Sequence, residues 1–290
     1  MAQAVLFLGM IKFSHSVFAL PFAFVAALLA AGGLPKTRQI LWIVVAMVGA
    51  RSGAMAMNRI IDRKIDAKNP RTRERELPSE KIRLGEASLF AGISFGLLVL
   101  AAYMLNPLCF YLSPAAVGLV LFYSFTKRFT WASHIVLGAA ISLAPLGAWI
   151  AVQGSFDLEI LPLVLGVVFW LGGFDILYAL QDIEFDRSHG LFSIPARFGV
   201  RRSLAISRAF HMMSVLLLVL TGFLFEMGAL YWLGMALVAG LFIYEHSLVK
   251  EDDLSRLDLA FFNMNGWISV SVFAAAALDL LFGNALKNLI

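Results

Sequence analysis

Cysteine is nearly missing from this chain: Cys109 stands alone among 290 residues. A single thiol excludes an internal disulfide and any site built on clustered cysteines. Charge is scarce as well. Only 14% of the residues are Asp, Glu, Lys or Arg, against about a quarter in a soluble domain. Glycine-rich phosphate cradles are absent, since neither GxxxxGK[ST] nor GxGxxG occurs; a nucleotide is therefore a poor candidate ligand. No polar stretch is long enough to fold as a soluble domain. The longest are 63–83 and 187–203, too long for tight turns and too short for domains, which marks them as functional loops.

Apolar sequence fills the space that these absences leave. Hydrophobic residues make up 60% of the chain and mean hydropathy is +0.83. Runs of roughly the 20 residues needed to cross a bilayer recur along the whole length. Nine spans are predicted, near 14–32, 40–62, 85–104, 107–126, 134–153, 160–182, 205–225, 228–249 and 264–283. The third and fourth are separated only by Asn106-Pro107. The expected class is an all-α, polytopic membrane protein forming one domain over 1–290, with the loops near 63–83 and 187–203 capping its site. The apolar run after Lys12 imitates a secretory signal only vaguely, and no organelle presequence is visible. The expected location is a bacterial or archaeal plasma membrane.

With the spans alternating, Lys12, eight basic residues between Arg63 and Arg83, Lys127, Arg128, Arg187, Arg197, Arg201, Arg202, Lys250 and Arg256 fall on one side. Lys36, Arg38 and Lys287 fall on the other. Positive charge marks the cytoplasmic side, so the N-terminus and both polar loops are expected there. The net charge of +4 follows from this bias. Without a folded basic face it does not point to nucleic acid.

Topology does not account for the acids. Asn58, Asp62 and Asp66 (NRIIDRKID) end the second span, and Tyr178, Asp182 and Asp186 (YALQDIEFD) end the sixth. Steps of four keep each set on one stripe of a helix. Four spans separate the sets, which puts them on the same membrane face, the geometry of a parallel internal duplication. Hard oxygen donors on such a stripe suit Mg2+. The bland alternative is an ordinary helix end neutralised by Arg63 and Lys64. Against it, Asp175 and Asp182 lie in an apolar run, and Arg51 lies seven residues before Asn58 on its face, well inside the second span. Ionisable groups at such depth are costly and by default functional. Arg71, Arg73, Arg75, Lys127, Arg128, Arg187 and Arg197 surround the acids. Carboxylate, Mg2+ and phosphate with flanking Lys and Arg is the recurring arrangement for a di- or triphosphate leaving group. Two facing stripes are expected to close into one cage for two Mg2+ ions bridged by a diphosphate. The five histidines show no metal-ligand spacing, and most of them read as interfacial or loop residues.

These motifs resemble the UbiA-type intramembrane aromatic prenyltransferases. NRIIDRKIDAKNPRTRERELPS is similar to the family's first aspartate-rich motif and its basic loop. FYSFTKRFTWASHIVLGAA is similar to the segment joining its fourth and fifth helices, and FDILYALQDIEFDRSHGLFSIPARFG to its second motif. The resemblance implies nine helices around a central cavity and Mg2+-dependent transfer of a polyprenyl group from its diphosphate to an aromatic ring. Lys127-Arg128-Phe129-Thr130 and the Tyr-x3-Asp-x3-Asp pattern look most like enzymes that prenylate 4-hydroxybenzoate, ortho to its hydroxyl, for ubiquinone. By position, Asn58, Asp62 and Asp66 would hold one Mg2+ and Asp182 and Asp186 the other. The four aspartates carry the catalysis, while Arg51, Arg71, Lys127, Arg128, Tyr178 and Arg197 contact diphosphate or acceptor. The implied partners are polyprenyl diphosphate, a small aromatic acid and membrane lipid, with no obligate protein partner.

Two departures stand out. Arg59 replaces an acid found in many relatives, and Ser193-Ile194-Pro195 replaces a Lys-Ser-Thr run. They keep open a naphthoate acceptor of menaquinone synthesis. A membrane carrier of metal ions or solutes also needs intramembrane acids, but its sites lie near the midplane between inverted repeats. Here the acids cluster at one face.

Overall fold

The structure, a computed structural model, describes residues 6, 7, 9–11, 19–257 and 259–287. Lys12 and His15 lie outside them. Every long element is a helix, and the bundle is that of a multi-pass membrane protein. Among the described residues eight helices are long and apolar enough to cross a membrane, and Leu20–Ala31 is a shorter apolar one.

The first helix, α1 (Ala19–Ala31), stops at two glycines. Gly32 adopts φ +60°, and its N–H bonds to Leu29 O while that of Gly33 bonds to Leu28 O. This double closure uses a left-handed residue that glycine adopts without a Cβ penalty. Helix α2 (Thr37–Asp66) runs 30 residues, about 45 Å at 1.5 Å per residue. A hydrocarbon core is about 30 Å thick. The last turns of α2 therefore stand clear of the apolar layer, and these carry Asp62 and Asp66. Lys36 and Arg38 sit at its opposite end.

Helix α3 (Leu84–Leu105) and α4 (Pro107–Thr126) are separated by Asn106 alone. The Asn106 side chain accepts from Cys109 N at 2.9 Å and donates to Ile150 O at 2.8 Å. Proline follows at the first helical position, where a missing N–H costs nothing. One residue both divides the two spans and pins their junction to α5 (Ser133–Gln153).

Helix α6 (Leu161–Ala179) is buried nearly all round. It packs between α5 and α8 (Ile194–Leu224), while α9 (Ala229–Ser247) and α10 (Asn265–Lys287) pair with each other. Helix α10 returns to α1, and α1 packs on α5, so the ring closes. A buried polar chain ties this half together. Trp170 Nε1 donates to Asn265 Oδ1 at 2.7 Å, and Asn265 Nδ2 donates to Glu245 Oε1 at 3.0 Å. His211, 1% exposed, lies against His246 with a ring-nitrogen separation of 2.9 Å. The expectation that histidines lie in loops or at the interface is thus corrected for His134 and His211, both of which are buried in helices.

Two local departures reshape the acid end. The sixth span does not continue as one α-helix through its acids: Leu180–Asp182 form a 3-10 turn, followed by the short α7 (Ile183–Ser188). Three residues per turn replace 3.6, so the single stripe expected for Tyr178, Asp182 and Asp186 is broken. The polar segment 187–203 is also mostly helical. Ser193 Oγ accepts from Ala196 N at 3.2 Å, with Pro195 in the first turn. That is a helix start, which patterning had hidden under the charge of Arg197, Arg201 and Arg202. Gly199, at φ +77°, kinks α8 soon afterwards.

Close helix contact depends on glycine at Gly138, where a Cβ would stand 2.3 Å from Val168 O. Backbone on both sides leaves little room to relax. Gly138→Val is expected to destabilise the bundle by about 2 kcal/mol or more, read as a lower thermal midpoint in detergent. Gly147→Ala is the control, because nothing lies within 4 Å of its added carbon. Equal midpoints for the two variants would contradict this packing.

Candidate active site

Four segments meet at one end of the bundle: the last turns of α2, the loop 67–83, the end of α4 with the turn after it, and the stretch from the end of α6 to the start of α8. The first centre is Asp62, only 2% exposed. A carboxylate so deeply buried needs compensating charge. Lys127 Nζ supplies it at 2.6 Å from Oδ2, and Arg128 Nη2 at 2.9 Å from Oδ1. Asn58 Nδ2 also donates to Oδ2 at 3.2 Å and lies 3.4 Å from Ser124 Oγ. Arg128 is steadied by Ser124 O at 2.7 Å and Ile61 O at 3.0 Å.

One turn on, Asp66 is 4% exposed. Arg75 Nη1 is shared between both its oxygens at 2.9 Å. Arg59, the residue that replaces an acid of many relatives, is buried with Nη1 4.0 Å from Asp66 Oδ2. Its Nε reaches Met10 O at 3.4 Å. The departure therefore turns a potential ligand into a further cation beside Asp66.

The second centre is Asp182. Asn69 Nδ2 donates to Oδ1 at 2.9 Å and Arg71 Nε to the same atom at 3.0 Å, while Arg71 Nη2 bonds to Oδ2. Arg71 Nη1 donates to Tyr178 OH at 2.6 Å. Burial disfavours the Arg71 charge, but bonding to Asp182 and the neighbouring Tyr178 outweighs it and pushes the pKa up. The guanidinium stays ionised. Asn69 Oδ1 accepts from Arg71 N at 2.9 Å, which sets the arginine's direction. A loop from the first motif thus crosses to the second and closes on it.

Asp186 takes a different partner, accepting from Ser193 Oγ at 2.8 Å. Burial pushes the Asp186 carboxyl above the usual carboxylate range and the nearby Asp182 charge adds to this, while the Ser193 hydrogen bond and the Lys127 charge oppose it. Ser193 caps α8 at the same time, so the exchange of Lys-Ser-Thr for Ser-Ile-Pro lies directly against the second motif.

The residues singled out from sequence fall into two groups. Asn58, Asp62, Lys127 and Arg128 share one cluster, and Arg71, Tyr178 and Asp182 share another. Asp66 and Asp186 flank these. Arg51 stands apart, eleven residues before Asp62 and so about 16 Å deeper along α2. Arg197 is exposed, its guanidinium 5.5 Å from the centroid of the Phe198 ring. Arg197 forms no ion pair with the acids among the described residues. The expected cage of five metal ligands is not preformed: among the described residues no group of three or more His, Cys, Asp or Glu side chains converges to hold a metal. Each of Asp62, Asp66 and Asp182 is instead turned onto a basic partner. Arg63 and Lys64, which an ordinary helix end would have turned onto the acids, pair with none of them among the described residues.

Sequence reasoning missed Asn69 and His134; it counted Arg75 among the cations around the motifs and noted Ser193 as a departure, but gave neither a partner. His134, 3% exposed, has Nδ1 2.6 Å from Asp175 Oδ2, and its Nε2 accepts from Ile194 N at 3.2 Å. That assigns the proton to Nδ1 and ties α6 to the start of α8. A clue existed in Asp175, a carboxylate in an apolar run that needs a partner. For Asn69 no signal exists short of the fold, because its partner lies 113 residues away.

The donor chemistry fits a divalent cation. All candidate ligands are hard oxygens, and the partners they now hold are cations of the kind that bind phosphate. Asp62, Asp66 and Asp182 are paired with Lys127, Arg128, Arg59, Arg75 and Arg71, and Asp186 accepts from Ser193, so four acids stand among five cations. Divalent cations entering together with a diphosphate would leave that balance nearly unchanged.

Known proteins share this arrangement of elements. The model of the UbiA prenyltransferase family matches residues 19–267. The 4-hydroxybenzoate octaprenyltransferase of Chromohalobacter salexigens is 34% identical over 256 residues, covering 87% of this chain and 84% of that one. The apo structure of a UbiA homolog from Aeropyrum pernix K1 superimposes with a TM-score of 0.84 at 33% identity, over 92% of this chain and 98% of that one. A UbiA homolog from Archaeoglobus fulgidus bound to DMAPP and Mg2+ shares the fold, with a TM-score of 0.70 at 18% identity over 94% and 98% of the two chains. A family model that spans most of the sequence, together with relatives of this identity along nearly its whole length, shows that the chain belongs to the UbiA prenyltransferase family.

Proposed function

We propose that this chain transfers a polyprenyl group from polyprenyl diphosphate to the carbon ortho to the hydroxyl of 4-hydroxybenzoate, a step of ubiquinone synthesis, with Mg2+ as cofactor. The observation that carries this reading is the pairing of buried acids with phosphate-binding cations across both motifs. Support comes from the octaprenyltransferases that the chain is similar to and from the related fold that binds an allylic diphosphate with Mg2+. The relatives are transferases, which leaves no observation favouring a metal or solute carrier.

Asn58, Asp62 and Asp66 would hold one metal ion, and Asp182 and Asp186 a second. Metal held there would supply charge neutralisation for the diphosphate leaving group of the allylic C–O bond. Lys127, Arg128, Arg71 and Arg75 then exchange carboxylate for phosphate oxygens, a match of equal chemistry on both sides. Tyr178 aims Arg71 throughout. The apolar tail enters the bundle from the membrane, where exclusion of water protects the allylic cation from hydrolysis. The electron-rich ring carbon attacks that cation, and loss of the ring proton restores aromaticity. Arg51, deeper on α2, would take the acceptor carboxylate, and Arg197 at the rim an incoming diphosphate. The excess of Lys and Arg in the loops on the acid side supports a site at the cytoplasmic face of the plasma membrane, with lipid as the surrounding partner and no protein partner required.

Asp62→Asn and Asp182→Asn are expected to lower turnover by at least a hundredfold while the purified proteins keep the wild-type elution volume and helical spectrum. Near-normal turnover in either variant removes the assigned metal role. Product mass from membranes given radiolabelled prenyl diphosphate with 4-hydroxybenzoate or with a dihydroxynaphthoate tests the acceptor. Prenylated hydroxybenzoate is expected, and product from the naphthoate alone would transfer the reading to menaquinone synthesis.

A further inference from the structure

Between the end of α2, the loop 67–83 and the start of α3 lies a cavity of about 490 Å³. Arg63 and Lys64 from the end of α2 and Arg83 from the start of α3 line it, with Glu80 as its one acid. These three cations have been left over. Asp62 is held by Lys127 and Arg128, and Asp66 by Arg75. Among the described residues the ion pairs of this region use Arg59, Arg71, Arg73 and Arg75, and neither Arg63, Lys64 nor Arg83 belongs to one. Glu86 is occupied in capping, accepting from Arg83 N at 3.0 Å.

The cavity's depth in the membrane points to its occupant. Its mouth lies where α2 leaves the apolar layer and α3 enters it. Leu77 forms a buried wall, and Leu84, 42% exposed, stands at the rim. Beyond the rim, Leu89, Ile93, Leu97 and Leu100 expose the lipid-facing stripe of α3. A net excess of two positive charges therefore sits at headgroup level beside a surface made for acyl chains. A free anion would use only the first feature, whereas a phospholipid uses both.

We propose that this cavity binds the phosphate headgroup of an anionic phospholipid from the leaflet at the acid-site end, with its acyl chains lying along α3. Each basic side chain near an anionic headgroup contributes about a fivefold gain in affinity. This site is independent of the prenyl-transfer chemistry.

The test is native mass spectrometry of the full chain released from mixed phosphatidylcholine and phosphatidylglycerol, counting retained lipids. Wild type is expected to keep phosphatidylglycerol selectively. The triple variant Arg63→Gln, Lys64→Gln, Arg83→Gln should lose at least tenfold of that retention. The control triple Arg201→Gln, Arg202→Gln, Arg256→Gln, which removes as many exposed charges from elsewhere, should stay within twofold. Glu80→Gln, which needs no loss of a cation, should raise retention several-fold and so serves even if the pocket triple folds poorly. Equal loss in both triples, or no change in the pocket triple and in Glu80→Gln, overturns the proposal. Displacement of the lipid by millimolar inorganic phosphate would also overturn it, identifying a free-anion site instead.

Discussion

A buried carboxylate at the end of an apolar bundle must find a cation, and Asp62 finds two. Much of the acid end follows from that requirement. Lys127 and Arg128 come from the turn after α4, so satisfying Asp62 fixes the end of α4 against the end of α2. The same rule draws Arg75 back onto Asp66 and Arg71 onto Asp182, folding the loop 67–83 over the gap between the two motifs. Removing one partner from such a pair typically costs about 3–5 kcal/mol, because it strands a charge away from water. The loop is therefore shaped by electrostatic need more than by its own propensity.

Those pairs also define how the site works as a whole. A carboxylate bound to a guanidinium is not offering its lone pairs to a metal ion, and a guanidinium bound to a carboxylate is not offering its protons to phosphate. Partner exchange frees both at once. Because the signs nearly balance before and after, the proposed exchange would strand little charge in a medium that tolerates little of it. Asn69 and Tyr178 direct Arg71 in the metal-free arrangement and so keep it in range of the phosphate it would take up.

The spans were legible because hydrophobic length is a direct consequence of bilayer thickness. The boundary at Asn106-Pro107 was as visible as any, since asparagine before proline is a helix start written in two residues. The acid motifs stood out because carboxylates are rare near membrane. What patterning missed was conformational switching inside one run of sequence. Nothing in LYALQDIEFD announces that the helix tightens at Leu180–Asp182, or that Asp182 and Asp186 take different partners, Arg71 and Ser193. Equally hidden was the choice of partner. Arg63 and Lys64 are adjacent to the acids in sequence, yet successive positions on a helix point about 100° apart, and the partners that win arrive from loops remote in the chain.

Partner exchange is tested most directly by a structure of the full chain with Mg2+ and a non-reactive prenyl thiolodiphosphate. The account predicts metal ions on the oxygens of Asp62 and Asp182, with Lys127 and Arg71 turned onto the diphosphate. A bound diphosphate with the Lys127–Asp62 and Arg71–Asp182 pairs still intact would contradict it.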